Sequence, residues 1–166
     1  MSDNPHKNLI DYRDNFFSDR GFDKLMNYAA KATYKYGESD NYTTPPTGMV
    51  HNIGKNSEIW EMLTWRIEEL CPFVQCYTPF KISINCFAPR EVPYFHPDDD
   101  EGGVTFIYYI NPWKLDDGGC TEIFINNEIR AFPPLPNRMV WFDATLLHRA
   151  TTRRDDHRFA YAIKYI

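Results

Sequence analysis

Two hydrophobic periods divide the chain. From Ser18, a helix-starting residue ahead of an acidic turn, Phe22, Leu25, Met26 and Ala29 recur at helical spacing, and Gly37 offers a stop. The segment 40–54, "DNYTTPPTGMVHNIG", breaks the period and reads as an irregular loop. Asn56 or Ser57 then opens a second helix with Ile59, Trp60, Leu63, Ile67 and Leu70 on one face, closed by Pro72. Both helices read as core-packing elements and imply no cofactor. After Pro79 the period shortens toward two, in runs separated by Gly, Pro, Asn and Asp: "FKISINCFA", "GVTFIYYIN", "CTEIFIN", "IRAFP", "RMVWFD" and "RFAYAIKYI". The expected fold is mainly β with N-terminal helices. A helical buttress over about 18–72 packs on a β core over about 79–166, with six to eight strands in a double sheet or distorted barrel.

At 166 residues and 19.6 kDa, residues 1–166 fit one domain with a core of its own. Aromatic residues make up 16% of the chain and prolines number twelve, which suits a loop-rich globule with aromatic-lined cavities. The net charge of −5 and the lack of a basic run interleaved with aromatics leave no nucleic-acid footprint. No apolar leader region and no run near eighteen apolar residues appears, so the pattern holds neither signal peptide nor membrane span. The expected location is cytoplasmic, in a host's cytoplasm if the source is viral. Cys71, Cys76, Cys86 and Cys120 lack CxxC pairing and read as reduced, mostly buried thiols.

The chemistry concentrates at "YFHPDDDEGG", residues 94–103. In an extended segment residues i and i+2 share a side, so His96 and Asp98 can hold one ion. Among the other histidines, His6 lies in an expectedly frayed terminus, His51 in the loop before the second helix, and His157 beside Arg158; His148 in "WFDATLLHRA" is best placed as third ligand. Two imidazoles and one carboxylate on one face of an octahedron leave three open positions, the arrangement of non-haem Fe(II) oxygenases. A 2-oxo acid fills two and O2 the third, which requires a fixed cation at the acid's far end. Arg158, ten residues past His148, supplies a bidentate, permanently charged fork. If it points inward, Ala160, Ala162 and Lys164 follow it, while Phe159, Tyr161, Ile163 and Tyr165 face outward.

Plainer readings of these residues exist. "HPDDDEGG" alone is a hydrated acidic turn, and Asp99, Asp100 and Glu101 lack the alternation and fixed glycine of an EF-hand loop, so they are expected to remain solvated. The tripeptide "HPD" also occurs in J-domain cochaperones, but between helices, whereas its flanks here read as strands. Arg153 and Arg154 are expected at the surface, and His157 reads as a surface or hinge residue. Tyr94, Arg90 and the "TPPTG" loop are weak candidates to border a substrate.

Taken together, His-x-Asp, Thr-x-x-x-Tyr-x-Asn in "GVTFIYYINPW", Gly-Gly-x-Thr in "DDGGCTEIF" and His-x9-Arg in "FDATLLHRATTRRDDHRFAYAIKY" resemble the Fe(II)/2-oxoglutarate dioxygenases of the prolyl 4-hydroxylase type. That group includes oxygen-sensing enzymes and small bacterial and phage-borne members, and the resemblance runs from about Phe80 to Ile166. It implies a double-stranded β-helix, a cupin-like jelly-roll. It makes His96, Asp98 and His148 the iron ligands and Arg158 the partner of the 2-oxoglutarate C5 carboxylate. Tyr109 matches a tyrosine whose hydroxyl meets the same carboxylate, and Thr121 a position lining the cosubstrate pocket. Where oxygen-sensing members have a tyrosine on the strand before His-x-Asp, this chain has Phe87, and Asn85 on the same face is the expected substitute. Lys164 stands where those relatives carry an aromatic residue near the substrate, so the substrate wall is expected to differ.

The implied reaction uses Fe(II), 2-oxoglutarate and O2, with ascorbate as a supporting reductant. It releases succinate and CO2 and hydroxylates an unactivated C–H bond, by resemblance that of a prolyl residue in a peptide or protein. Asp98 favours hydroxylation over halogenation, since related halogenases have Gly or Ala there. A free amino acid, a nucleotide or another small metabolite is the alternative substrate. A non-catalytic cupin-like binding module is disfavoured by the full triad with Arg158. A zinc metallohydrolase is disfavoured too, having no need of that arginine. Oligomeric state and source are not expressed in these motifs.

Overall fold

Local signals set both helices in the computed structural model, which describes residues 6–37 and 44–166. Helix α1 spans Asp19–Lys31; the Ser18 side chain accepts from the Gly21 N–H at 3.3 Å, and Asp19 and Lys31 sit at the ends that favour their charges. It stops six residues before the expected Gly37. Ala32 turns extended (φ −68°, ψ 150°), and the Tyr34 hydroxyl donates to the Ala29 carbonyl at 2.8 Å, satisfying a last-turn acceptor by side chain. Helix α2 spans Glu58–Leu70, with Ser57 as its cap accepting from the Trp60 N–H. Pro72 opens a short 3-10 turn, Pro72–Cys76.

The strands are β1 Ile10–Arg13, β2 Lys35–Tyr36, β3 Met49–Asn52, β4 Pro79–Phe87, β5 Val104–Tyr109, β6 Thr121–Ile125, β7 Glu128–Phe132, β8 Met139–Asp143, β9 His148–Ala150 and β10 Arg158–Tyr165. They form a seven-stranded sheet in the order β1-β8-β5-β10-β4-β3-β2 and a three-stranded sheet in the order β7-β6-β9. All pairings are antiparallel. The result is the double-stranded β-helix expected from sequence, with both helices on the outside of the large sheet.

Among the described residues three strands precede Pro79, where a helical half with an irregular loop was expected. Met49–Asn52, inside that loop, pairs with Cys86–Ser83 of β4, while residues 40–43 lie outside the described residues. β1 pairs with β8, so N-terminal segments complete both edges of the large sheet. His6 is not frayed: its ring packs against Phe73 and Tyr77 at 5.1 and 5.6 Å. His51 lies in β3, between the Tyr28 hydroxyl and the Thr33 carbonyl.

β10 lies between β4 and β5 at the centre of the large sheet, and its alternation separates two interiors. Tyr161, Ile163 and Tyr165 join Phe106, Tyr108, Ile82 and Ile84 against Leu25, Leu63 and Ile67 of the helices. Polar tips in this core are satisfied: Tyr161 donates to the Leu25 carbonyl and Tyr108 to Asn137 Oδ1, each at 2.8 Å. The opposite face presents Ala160 and Ala162 with Ile107, Tyr109, Val140 and Phe142 toward Ile123 of the small sheet. Among the described residues no helix is long and apolar enough to cross a membrane.

Candidate active site

His96 and His148 form an isolated antiparallel bridge, each N–H donating to the other's carbonyl at 3.0 Å. Such a pair projects both side chains to one side, and the two rings lie 4.6 Å apart. Each Nδ1 lies 3.0 Å from the carbonyl two residues upstream, Tyr94 for His96 and Leu146 for His148. A protonated Nδ1 donating there puts the lone pair on Nε2, the nitrogen that faces Asp98 in both residues. Asp98 completes the group. Its N–H donates to the Ala144 carbonyl at 2.9 Å, and its oxygens lie 3.8 Å from His96 Nε2 and 3.5 Å from His148 Nε2. One ligand atom from each residue falls within 4.8 Å of the others.

Several residues hold the triad without joining it. Asp143, fully buried, accepts from the Thr145 N–H and hydroxyl and from the Asn8 N–H, fixing the turn whose Ala144 and Leu146 carbonyls receive Asp98 and His148. The loop after the acids closes at Gly103, where φ is +123° and a Cβ would meet the Tyr165 carbonyl at 2.3 Å, so only glycine fits. Arg149 pairs with Glu122 and stacks on Phe95, bracing the segment that carries His96. Asp99 accepts from the Glu101 and Gly102 N–H groups, while Asp100 and Glu101 are exposed, as expected of solvated loop acids.

The electrostatics favour a cation. Burial pushes the Asp98 carboxyl upward, but the imidazoles of His148 and His96 and the Lys164 ammonium outweigh it and hold the group well below the usual carboxylate range. Thr105 Oγ1 donates to Asp98 Oδ2 at 2.5 Å, and the Lys164 ammonium lies 2.5 Å from Oδ1. For His148, burial outweighs the attraction of Asp98 and lowers the imidazole, keeping it neutral. Neither Thr105 nor Asp143 was singled out from sequence. Thr105 opens the Thr-x-x-x-Tyr-x-Asn run, and all three named positions of that run serve the site. Tyr109 donates to Thr121 Oγ1 at 2.6 Å, and Asn111 bonds the Phe159 N–H and the His157 carbonyl, pinning the start of β10.

Two residues beyond His148 along β9, roughly 7 Å by strand rise, Ala150 pairs with Thr121 of β6. Here lies Arg158, 3% exposed, with Nε donating to the Gly119 carbonyl at 2.8 Å and Nη2 to Thr121 Oγ1 at 2.9 Å. Its guanidinium sits 5.5 Å from the Tyr109 ring centre, and no acid pairs with it among the described residues. Burial lowers its pKa, partly offset by Tyr109 and Cys120, yet a guanidinium remains charged. A buried cation without an acid is costly unless a ligand supplies one. Arg153 departs from expectation. It is buried rather than at the surface, donating to the Pro112 carbonyl and Asp117 beneath the Gly118–Gly119 turn, where a Cβ on Gly119 would meet its Cγ at 2.9 Å; Arg154 is exposed.

One cavity joins the triad to Arg158, walled by Asn85, Phe87, Thr121, Ala160, Ala162 and Lys164. Asn85 and Phe87 both reach it, as do all four inward positions of β10. Tyr94 and Arg90 are exposed and outside this wall. The donor set of two imidazole nitrogens and one carboxylate fits Fe(II). The acid-free arginine one strand repeat away fits the distal carboxylate of a bound five-carbon 2-oxo diacid.

The sequence model of a family described as the 2OG-Fe(II) oxygenase superfamily matches residues 81–165. Solved structures that share the fold include three prolyl hydroxylases. A Trichoplax adhaerens prolyl hydroxylase, in complex with a hypoxia inducible factor oxygen degradation domain peptide, has 18% identity and a TM-score of 0.75 over 95% of this chain and 83% of its own. A Pseudomonas putida prolyl-4-hydroxylase has 16% identity and a TM-score of 0.72 over 97% and 92%. A viral collagen prolyl hydroxylase of Paramecium Bursaria Chlorella virus-1 has 14% and 0.69 over 94% of both chains. No curated protein matches the chain by sequence.

Proposed function

The chain belongs to the 2OG-Fe(II) oxygenase superfamily, and we propose that it hydroxylates a prolyl residue in a peptide or protein. Membership makes it a dioxygenase dependent on Fe(II), 2-oxoglutarate and O2, with succinate and CO2 as products. The observation that carries the residue assignments is the single cavity holding both the His96–Asp98–His148 group and the acid-free Arg158. In this reading the three ligands hold iron, which when bound supplies the oxidising power. Arg158 takes the distal carboxylate, and Thr121 and Tyr109 orient its fork. Ala160 and Ala162 leave room for the cosubstrate, and Asn85 offers the polar contact that Phe87 cannot make. The prolyl substrate is supported by the prolyl hydroxylases among the structures that share the fold. Asp98 is the sole acid in the described wall, so a hydrolase's separate general base has no counterpart. Free thiols at all four cysteines suit a reducing compartment, and we place the enzyme in the cytoplasm.

The test is anaerobic addition of Fe(II) and 2-oxoglutarate, read by the visible charge-transfer band of the complex, followed by air and a panel of proline-containing peptides. Succinate should form in step with a peptide heavier by one oxygen. Succinate that responds to free amino acids or nucleotides and to no peptide would replace the prolyl reading with a small-molecule one.

A further inference from the structure

Arg158 and Lys164 share the inward face of β10, six residues apart, so the cavity carries a cation toward each end of a strand stretch of roughly 20 Å. Their circumstances differ. Arg158 has its hydrogen bonds to Gly119 and Thr121 and awaits the cosubstrate. Lys164, its side chain 26% exposed, reaches Asp98 Oδ1, a carboxylate it would have to share with iron. The neighbouring strands offer no other: Lys164 pairs with Lys81 on β4 and with Thr105 on β5. A formal count of the wall gives Arg158 and Lys164 against Asp98, a sum of +1 with ligating histidines neutral. Fe(II) and the 2-oxoglutarate dianion cancel one another, so the loaded cavity keeps that charge. Arg158 and iron take the cosubstrate's carboxylates, and the surplus resides at Lys164.

We propose that Lys164 is the specificity-determining cation of this enzyme, pairing with a carboxylate that the substrate carries close to the hydroxylated carbon. The proposal rests on the oxygenase reading and deepens its prolyl branch. The carboxylate belongs either to a C-terminal proline or to an acidic residue next to an internal one. A charge-assisted hydrogen bond of this kind is worth about tenfold or more in affinity.

The experiment uses the full chain loaded with Fe(II) and 2-oxoglutarate under argon. Acetate should perturb the charge-transfer band of the wild type, acetamide should not, and Lys164→Met should be insensitive to both. Binding is then compared for acetyl-Gly-Pro with a free C-terminus, its C-terminal amide, and acetyl-Gly-Pro-Asp amide. At least one acid-bearing peptide should bind about tenfold more tightly than the neutral amide, Lys164→Met should abolish the difference, and Lys164→Arg should retain it. Which acid-bearing peptide wins identifies the source of the carboxylate. An acetate effect that is absent from the wild type, or undiminished in Lys164→Met, overturns the assignment, as does equal binding of acidic and neutral peptides. If acetate behaves as expected and no peptide binds, Lys164 stands and the prolyl substrate falls.

Discussion

On β10, Tyr161, Ile163 and Tyr165 press into the helix-covered core, while Ala160, Ala162 and Lys164, one residue away in each case, face the cavity. The same contrast runs across the large sheet. Toward the helices, bulky side chains fill the space and their hydroxyls are paired within the protein. Toward the small sheet, the alanines of β10 open a cavity that holds an arginine with no acid paired to it among the described residues and a carboxylate approached by a lysine and two histidines. Stability is concentrated on one face, and the other holds groups that reach their best energy only with ligands bound. Substitutions on the two faces should therefore separate folding from binding.

The largest expected effect on stability comes from the helix face. Leu63→Ala, at a fully buried position, should lower unfolding free energy by about 2–5 kcal/mol in urea titration, with metal and 2-oxoglutarate affinity unchanged in the folded fraction. If those affinities fall in proportion, the two faces are coupled and the contrast fails. On the cavity face, Arg158→Met should cost 2-oxoglutarate binding about 1.5–3 kcal/mol, roughly ten- to a hundredfold, from lost charge-assisted hydrogen bonds. Stability without cosubstrate should hold or rise, because a buried cation lacking an acid has been removed. A loss of stability as large as that of Leu63→Ala would mark Arg158 as a structural residue.

A subtler separation is available at Thr105, fully buried beside Asp98. Thr105→Val keeps the shape and deletes the donor to Oδ2. Loss of such a supporting partner should weaken metal binding about 10–100-fold, measured with Co(II) or Mn(II). Unchanged metal affinity would mean that the remaining contacts of Asp98 suffice to orient it.

How far the sequence expressed these arrangements depended on how local each one is. Ser18 and Ser57 act on N–H groups three residues away, so both helix starts were legible. Once Arg158 is taken to point inward, strand alternation gives the rest of the inward set of β10, and the cavity carries all four of its members. The N-terminal strands were illegible because β1 and β3 are short and their partners lie far along the chain, Phe142 for Ile10 and Cys86 for Met49. Arg153 looked like a surface cation because its acceptors, the Pro112 carbonyl and Asp117, come from a distant turn. Lys164 was visible as a departure from an aromatic position, but its approach to Asp98 exists only once β10 lies beneath the loop that carries His96 and Asp98.

The smallest expected effect lies at the border between the two faces. Arg138, whose carbonyl accepts from the Tyr109 N–H, holds Asp14 through a two-pronged pair at 2.6 and 3.0 Å and lies over the Tyr12 ring. The hydrogen bond from Arg138, outweighing burial, depresses the Asp14 carboxyl. A group whose folded pKa lies below its unfolded value contributes stability that is present above the unfolded pKa and lost as pH falls through the folded one. The urea midpoint of the wild type should thus fall on acidification below about pH 4, the unfolded aspartate range, and Asp14→Asn should flatten part of that limb. Asp98 contributes to the same limb from inside the cavity, so the comparison is made as the difference between wild type and variant at each pH. Because Asp14 is about half exposed, solvent screens the pair and the difference should be slight. An acid limb identical in both proteins would assign the whole pH dependence to the cavity face.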